Sequence, residues 1–164
     1  MAFPRERAFA ALASLKPAQV FLDSYRFRLL PENLDIYFGP PEEFFLTESS
    51  SEAYTRGGLI PILDNGNFDT VTFLDPATGE LAQIDVETPG ESRDRFVHWQ
   101  QYLANLMIVI GESIADDERL RRIAVLIGFD YTDALFDFYT RIQHFDGERY
   151  WESRRQFLHA LPRA

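Results

Sequence analysis

Residues 57–87, GGLIPILDNGNFDTVTFLDPATGELAQIDVE, leave this chain few ways to fold. The run Leu59-Ile60-Pro61-Ile62-Leu63 is apolar, too short for a helix and closed by the turn cluster Asp64-Asn65-Gly66-Asn67. The Asn-Gly pair there tolerates positive φ, as tight hairpin turns require. In the next run, Asp69 to Leu74, Val71 and Phe73 alternate with Thr70 and Thr72. Asp75-Pro76-Ala77-Thr78-Gly79-Glu80 is a second turn, with Pro fixing φ early and Gly supplying a left-handed position late. Ala82, Ile84 and Val86 then alternate with Leu81, Gln83, Asp85 and Glu87, the period-two mark of a half-buried strand. The stretch therefore predicts a three-stranded antiparallel meander with one wet face.

Elements around it follow from helical spacing and breakers. Phe9, Leu12 and Leu15 predict an N-terminal helix over 4–15, ended by Pro17. In 18–30, Phe21 and Tyr25 fit a helix while Tyr25, Phe27 and Leu29 alternate with arginines, so helix passing into extended chain is expected, stopped by Pro31. Gly39-Pro40-Pro41 forms an extended corner, and Thr47 to Thr55 reads as a polar loop. Ser92 with Arg93, Asp94 and Arg95 is expected to start the strongest helix, carrying Phe96, Trp99, Leu103, Leu106 and Ile110. Three more helices are expected from about Asp116 to Gly128, from Thr132 or Asp133, and over 148–161. The expected fold class is α+β: an antiparallel sheet of about four to six strands flanked by helices. The expected division is an α+β domain over 1–115 and a C-terminal helical extension over 116–164.

Gly58, Ile60, Pro61, Ile62, Gly66, Phe73, Leu74, Asp75 and Gly79 stand in an order that resembles the centre of the SUKH superfamily. That order is a Gly-x-[Ile/Val]-Pro-[Ile/Leu] strand, a Gly/Asp/Asn turn, an apolar strand ending in Asp, and a Gly turn into a third strand. The likeness spans residues 30–115. It departs at Tyr37-Phe38-Gly39-Pro40-Pro41, where the family often carries an aromatic or Asn-Gly-Gly element, and residues 116–164 have no counterpart. The superfamily contains bacterial immunity proteins that neutralise partner toxins and a yeast regulator of cell-wall assembly. The resemblance thus implies a SUKH-like fold and a cytoplasmic, non-catalytic protein that blocks a toxin by occupying its surface.

Charge suggests what such a surface would meet. The 164 residues carry a net charge of −10, unevenly placed. From Glu32 to Glu91 thirteen acids face one base, Arg56, a net of −12, and the remainder is +2. Phosphate binding needs a basic stripe, so nucleic acid is not an expected partner. A basic protein, such as a nuclease toxin, is, because complementary fields raise encounter rates and select partners. The competing reading is an acidic surface that is merely solvated. The residues expected to bind the partner are Tyr37, Phe38, Glu42, Glu43, Glu48, Glu52, Asp64, Asp69, Asp75, Asp85 and Glu87. Tyr37, Phe38, Phe44, Phe45 and Tyr54 lie among these acids in irregular chain, where they serve either as interface anchors or as core.

Chemistry is harder to place. His98, His144 and His159 form no metal-binding pair, and the sequence has no cysteine for a thiolate site or disulfide. Ser49-Ser50-Ser51 has no nucleophile elbow around it. Asp64, Asn67 and Asp69 share a turn but miss the EF-hand order. No catalytic residue, metal or cofactor is expected. The alternatives are a regulatory or adaptor protein of the same fold, and an enzyme using clustered carboxylates or a metal. No apolar run approaches the ~18 residues of a membrane span, so no membrane is expected, and the N-terminus reads as an amphipathic helix rather than a signal peptide. The helical tail leaves both monomer and homodimer open.

Overall fold

The computed structural model describes residues 5–42, 58–66, 69–88 and 91–163. They form two compact units, Met1–Trp99 and Gln100–Ala164. The division falls ahead of the long helix, whereas the sequence reading placed it behind, at 115. The architecture is α+β, with one four-stranded antiparallel sheet and several helices.

In the first unit, α1 (Arg5–Ser14) and α2 (Gln19–Asp23) precede an irregular turn, Pro31–Ile36. The sheet follows in the order β1 (Ile60–Asp64), β2 (Thr70–Leu74), β3 (Leu81–Asp85) and β4 (Ser92–Phe96). The three expected strands are present, joined by turns at the expected places. Pro61 is tolerated because β1 is the outer strand and its register shifts between Pro61 and Leu63, so no central ladder bond is lost. Beyond Pro61 the outer edge is met by Gly39, whose N–H and C=O each bond Asp64 backbone at 2.9 Å.

Two expectations need correction. The meander has no wet face over its first two strands: every residue of β1 and β2 is buried, Thr70 and Thr72 included. Their hydroxyls are satisfied across the ladder, Thr70 Oγ1 donating to Asp85 Oδ1 at 3.0 Å and Gln83 Nε2 donating to Thr72 Oγ1 at 3.3 Å. A threonine face paired this way can be covered without a desolvation penalty for unmet hydroxyls. Second, Ser92-Arg93-Asp94-Arg95-Phe96 is not the start of the long helix. It is β4, an edge strand pairing with β3, exposed except towards Asp94 and Phe96. Charged side chains are what edge strands carry to deter further pairing, and they removed the alternation that would have revealed it.

The core of this unit is aromatic on one side. Phe21 and Phe38, both 0% exposed, stack at 4.4 Å, and Trp99 meets Phe21 edge-on at 5.0 Å. Val71, Phe73 and Ile84 form a second cluster with Leu59 and Val86 packed against it. Helix α1 packs on β1 with Ala8 and Leu12 buried.

The second unit is helical: α3 (Trp99–Ser113, from its second residue), α4 (Asp117–Ile127), α5 (Thr132–Ile142) and α6 (Gly147–Ala160). Helix α3 is buried on nearly every face, Gln100 through Ile108 without a break. Its polar residues are engaged. The Gln100 amide donates to Gly128 O and Asp130 Oδ2 and accepts from Asp130 N, and Arg154 donates to Asn105 Oδ1. Asp116 caps α4 by accepting from Arg119 N at 3.0 Å, and Gly128 ends it in the left-handed conformation at φ 73°. Asp146 caps α6 in the same way.

Candidate protein-binding surface

Antiparallel strands put alternate turns at opposite ends of a sheet. The β1–β2 turn (64–70) and the β3–β4 turn (85–92) share one end of this meander, and the β2–β3 turn (74–81) occupies the other. Five-residue strands separate the ends by about 16 Å. The expected acidic residues are thereby split. Asp64, Asp69, Asp85 and Glu87 come to the first end, joined by Glu91, while Asp75 goes with Glu80 to the second.

At the first end the carboxylates do different jobs. Asp64 is 3% exposed, and its Oδ1 accepts from Gly66 N at 2.8 Å, closing the turn. Asp85 is half-buried, and its Oδ1 accepts from Thr70 Oγ1 and, at 3.4 Å, from Arg93 Nη1. Asp69 and Glu87 are exposed, and Val86 N donates to Asp69 O at 2.8 Å, which ties the two turns together. Gly66 has φ 84°, and a Cβ there would fall 2.6 Å from the Ile36 carbonyl carbon. That close approach seats the Pro31–Ile36 turn against the β1–β2 hairpin, with Ile36 56% exposed there. Sequence reading did not single out Ile36. Its only signal was the glycine three residues before Asp69, which marks a backbone contact without naming its partner.

The remaining expected residues fare unevenly. Phe38 and Tyr37 are core, not surface: Phe38 is 0% and Tyr37 9% exposed, so neither presents an anchor. The Gly39–Asp64 bridge draws that segment against β1, and the aromatic stack on Phe21 completes its burial. Asp75 is half-buried in its own turn, accepting from Ala77 N at 2.9 Å. Glu42 is exposed. Glu43, Glu48 and Glu52, with Phe44, Phe45 and Tyr54, lie outside the described residues, as does Asn67.

His144 and His159 are exposed and His98 is half-buried. Among the described residues no three His, Asp or Glu side chains are grouped to hold a metal ion. Among them, too, no helix is long and apolar enough to cross a membrane. The sheet end therefore offers exposed carboxylates on Asp69, Glu87 and Glu91 and, against Gly66, the exposed apolar side chain of Ile36, a combination suited to contacting a cationic surface. Comparison with family models, with curated proteins and with solved structures finds no match to this chain.

Proposed function

We propose that this chain is a non-catalytic protein-binding module, an immunity protein of SUKH type that neutralises a basic toxin in the cytoplasm. The observation that carries the reading is that strand order brings Asp69, Asp85, Glu87 and Glu91 to one end of the sheet, where Ile36, 56% exposed, lies against Gly66 of the same end. The resemblance of the 58–79 region to immunity proteins supplies the class of partner. Contact would be made by the exposed acids and Ile36, while buried Asp64 and half-buried Asp85 hold the turns that present them.

The test begins with capture of the partner from the native host by the tagged full chain. The purified partner is then measured against Asp69→Lys/Glu87→Lys and, as a control at the other end, Asp75→Lys. The double reversal is expected to slow association by about 10- to 100-fold and to flatten its dependence on salt, since charge at a rim acts mainly through encounter. The control should leave both nearly unchanged. Equal association by wild type and double variant would refute the assignment.

A further inference from the structure

The first unit carries a second surface of the opposite sign. Residues 5–30 hold five bases (Arg5, Arg7, Lys16, Arg26 and Arg28) against two acids, Glu6 and Asp23, in a chain whose net charge is −10. The fold concentrates part of that excess. Arg5 Nη2 donates to Tyr25 O at 2.7 Å and its guanidinium lies 5.7 Å from the Tyr25 ring centre. Arg26 lies 5.8 Å from the centre of Phe9, whose ring meets Tyr25 edge-on at 5.4 Å. The two arginines are thus seated on an aromatic pair instead of ranging freely through solvent. Beyond them Arg26, Phe27, Arg28 and Leu29 are all exposed, Phe27 at 59% and Leu29 at 82%. Arg5, Arg26 and Arg28 also line a cavity of about 270 Å³ together with Tyr25, Phe38 and one acid, Asp35, whose Oδ1 accepts from Leu30 N at 3.0 Å.

We propose that the surface formed by Arg5, Arg26, Phe27, Arg28 and Leu29 docks an acidic polypeptide segment that carries an apolar side chain. Guanidinium forks match carboxylates in a bidentate way, and the neighbouring Phe27 and Leu29 give apolar side chains a place to be covered. The cavity between the arginines suits an inserted side chain and would be idle against a flat surface. An anionic bilayer fits less well: it would face the −10 chain as a broad negative plane, whereas a short segment meets only charges within a Debye length of ~8–10 Å. A second copy of this chain brings the same −10 with it. The inference is separate from the acidic sheet end and shares none of its residues.

The probe is a short fluorescein-labelled peptide of glutamates flanking two leucines, read by fluorescence anisotropy with the full chain. Binding is expected at physiological salt, where the Debye length is ~8 Å, and should weaken at least about tenfold towards ~1 M salt, where it is ~3 Å. Arg26→Glu/Arg28→Glu and, separately, Phe27→Ala/Leu29→Ala should each weaken it by about tenfold or more, with unchanged circular dichroism because these side chains are exposed. Asp69→Lys/Glu87→Lys should retain it, which separates this surface from the proposed function. The inference is overturned if the peptide does not bind, or binds the arginine variant equally. It is also overturned if phosphatidylserine vesicles bind through these residues while the peptide does not, or if light scattering shows that the arginines instead join two copies.

Discussion

Replacing Gly66 by alanine tests the contact that assembles the acidic sheet end. Two costs combine. At φ 84° the backbone is left-handed, which a Cβ makes unfavourable by about 1–2 kcal/mol. The new Cβ would also lie 2.6 Å from the Ile36 carbonyl carbon and closer still to its oxygen. Because the obstacle is backbone, not the end of a flexible side chain, relief requires the Pro31–Ile36 turn to lift, at a further cost of about 1–3 kcal/mol. The total is about 2–5 kcal/mol. Gly79→Ala is the internal control: its φ is 76°, but a Cβ there meets nothing within 4 Å, so only the first cost applies. The assay is urea unfolding followed by tryptophan fluorescence in a Trp151→Phe background, leaving Trp99, which packs on Phe21 in the first unit, as the reporter. Gly66→Ala should lower stability by about 1–3 kcal/mol more than Gly79→Ala. Equal losses would show that the approach of Ile36 to the hairpin is not a real constraint, and the case for a built surface at that end would go with it.

Three further outcomes follow from the packing. Phe38→Ala removes a fully buried ring stacked on Phe21 and should cost about 3–5 kcal/mol in the same urea assay, whereas a surface anchor would show little change in stability. In the second unit, a Cβ on Gly111 would collide with the Tyr139 hydroxyl and sit 2.9 Å from its Cζ, and Tyr139 Oη donates to Met107 O at 3.0 Å. Gly111→Ala should therefore destabilise by about 1–3 kcal/mol in the wild type but be neutral or stabilising in a Tyr139→Leu background, where only helix propensity remains. Burial raises the Tyr25 and Tyr139 phenols well above their ordinary value of 10.0. A phenol that keeps its proton only in the folded state contributes nothing to pH dependence below pH 10.0 and loses stability above it, so urea midpoints should hold up to that pH and then fall. Tyr139→Phe should make the fall shallower.

How much of this could be read beforehand depends on where each residue's partners lie. The meander was legible because its signals are local: Gly66 and Gly79 at left-handed turn positions, Asp64 and Asp75 closing those turns through their own carboxylates, and β-branched residues between. Helix α4 was legible for the same reason, with Asp116 and Gly128 marking its ends. Strand β4 was not, because its evidence is a partner: Arg93 pairs with Asp85 and the ladder with β3 satisfies a backbone whose side chains look helical and soluble. The alternation of Tyr25, Phe27 and Leu29 with arginines misled in the opposite sense. It marks neither strand nor helix. Tyr25 is buried while Phe27 and Leu29 face solvent, a placement that makes sense as a surface and not as an element.

Charge repeats the lesson at a larger scale. Thirteen acids between Glu32 and Glu91 invite a single negative patch. A meander cannot build one from consecutive turns, because every strand carries the chain to the far end before it turns again. Acids in the first and third turns must meet, and those in the second must leave. The parity of the strands therefore selects Asp64, Asp69, Asp85, Glu87 and Glu91 as one group and Asp75 with Glu80 as another, before any side chain is placed. What parity does not supply is the apolar point a surface needs. That came from Ile36, whose position depends on a missing Cβ thirty residues away at Gly66.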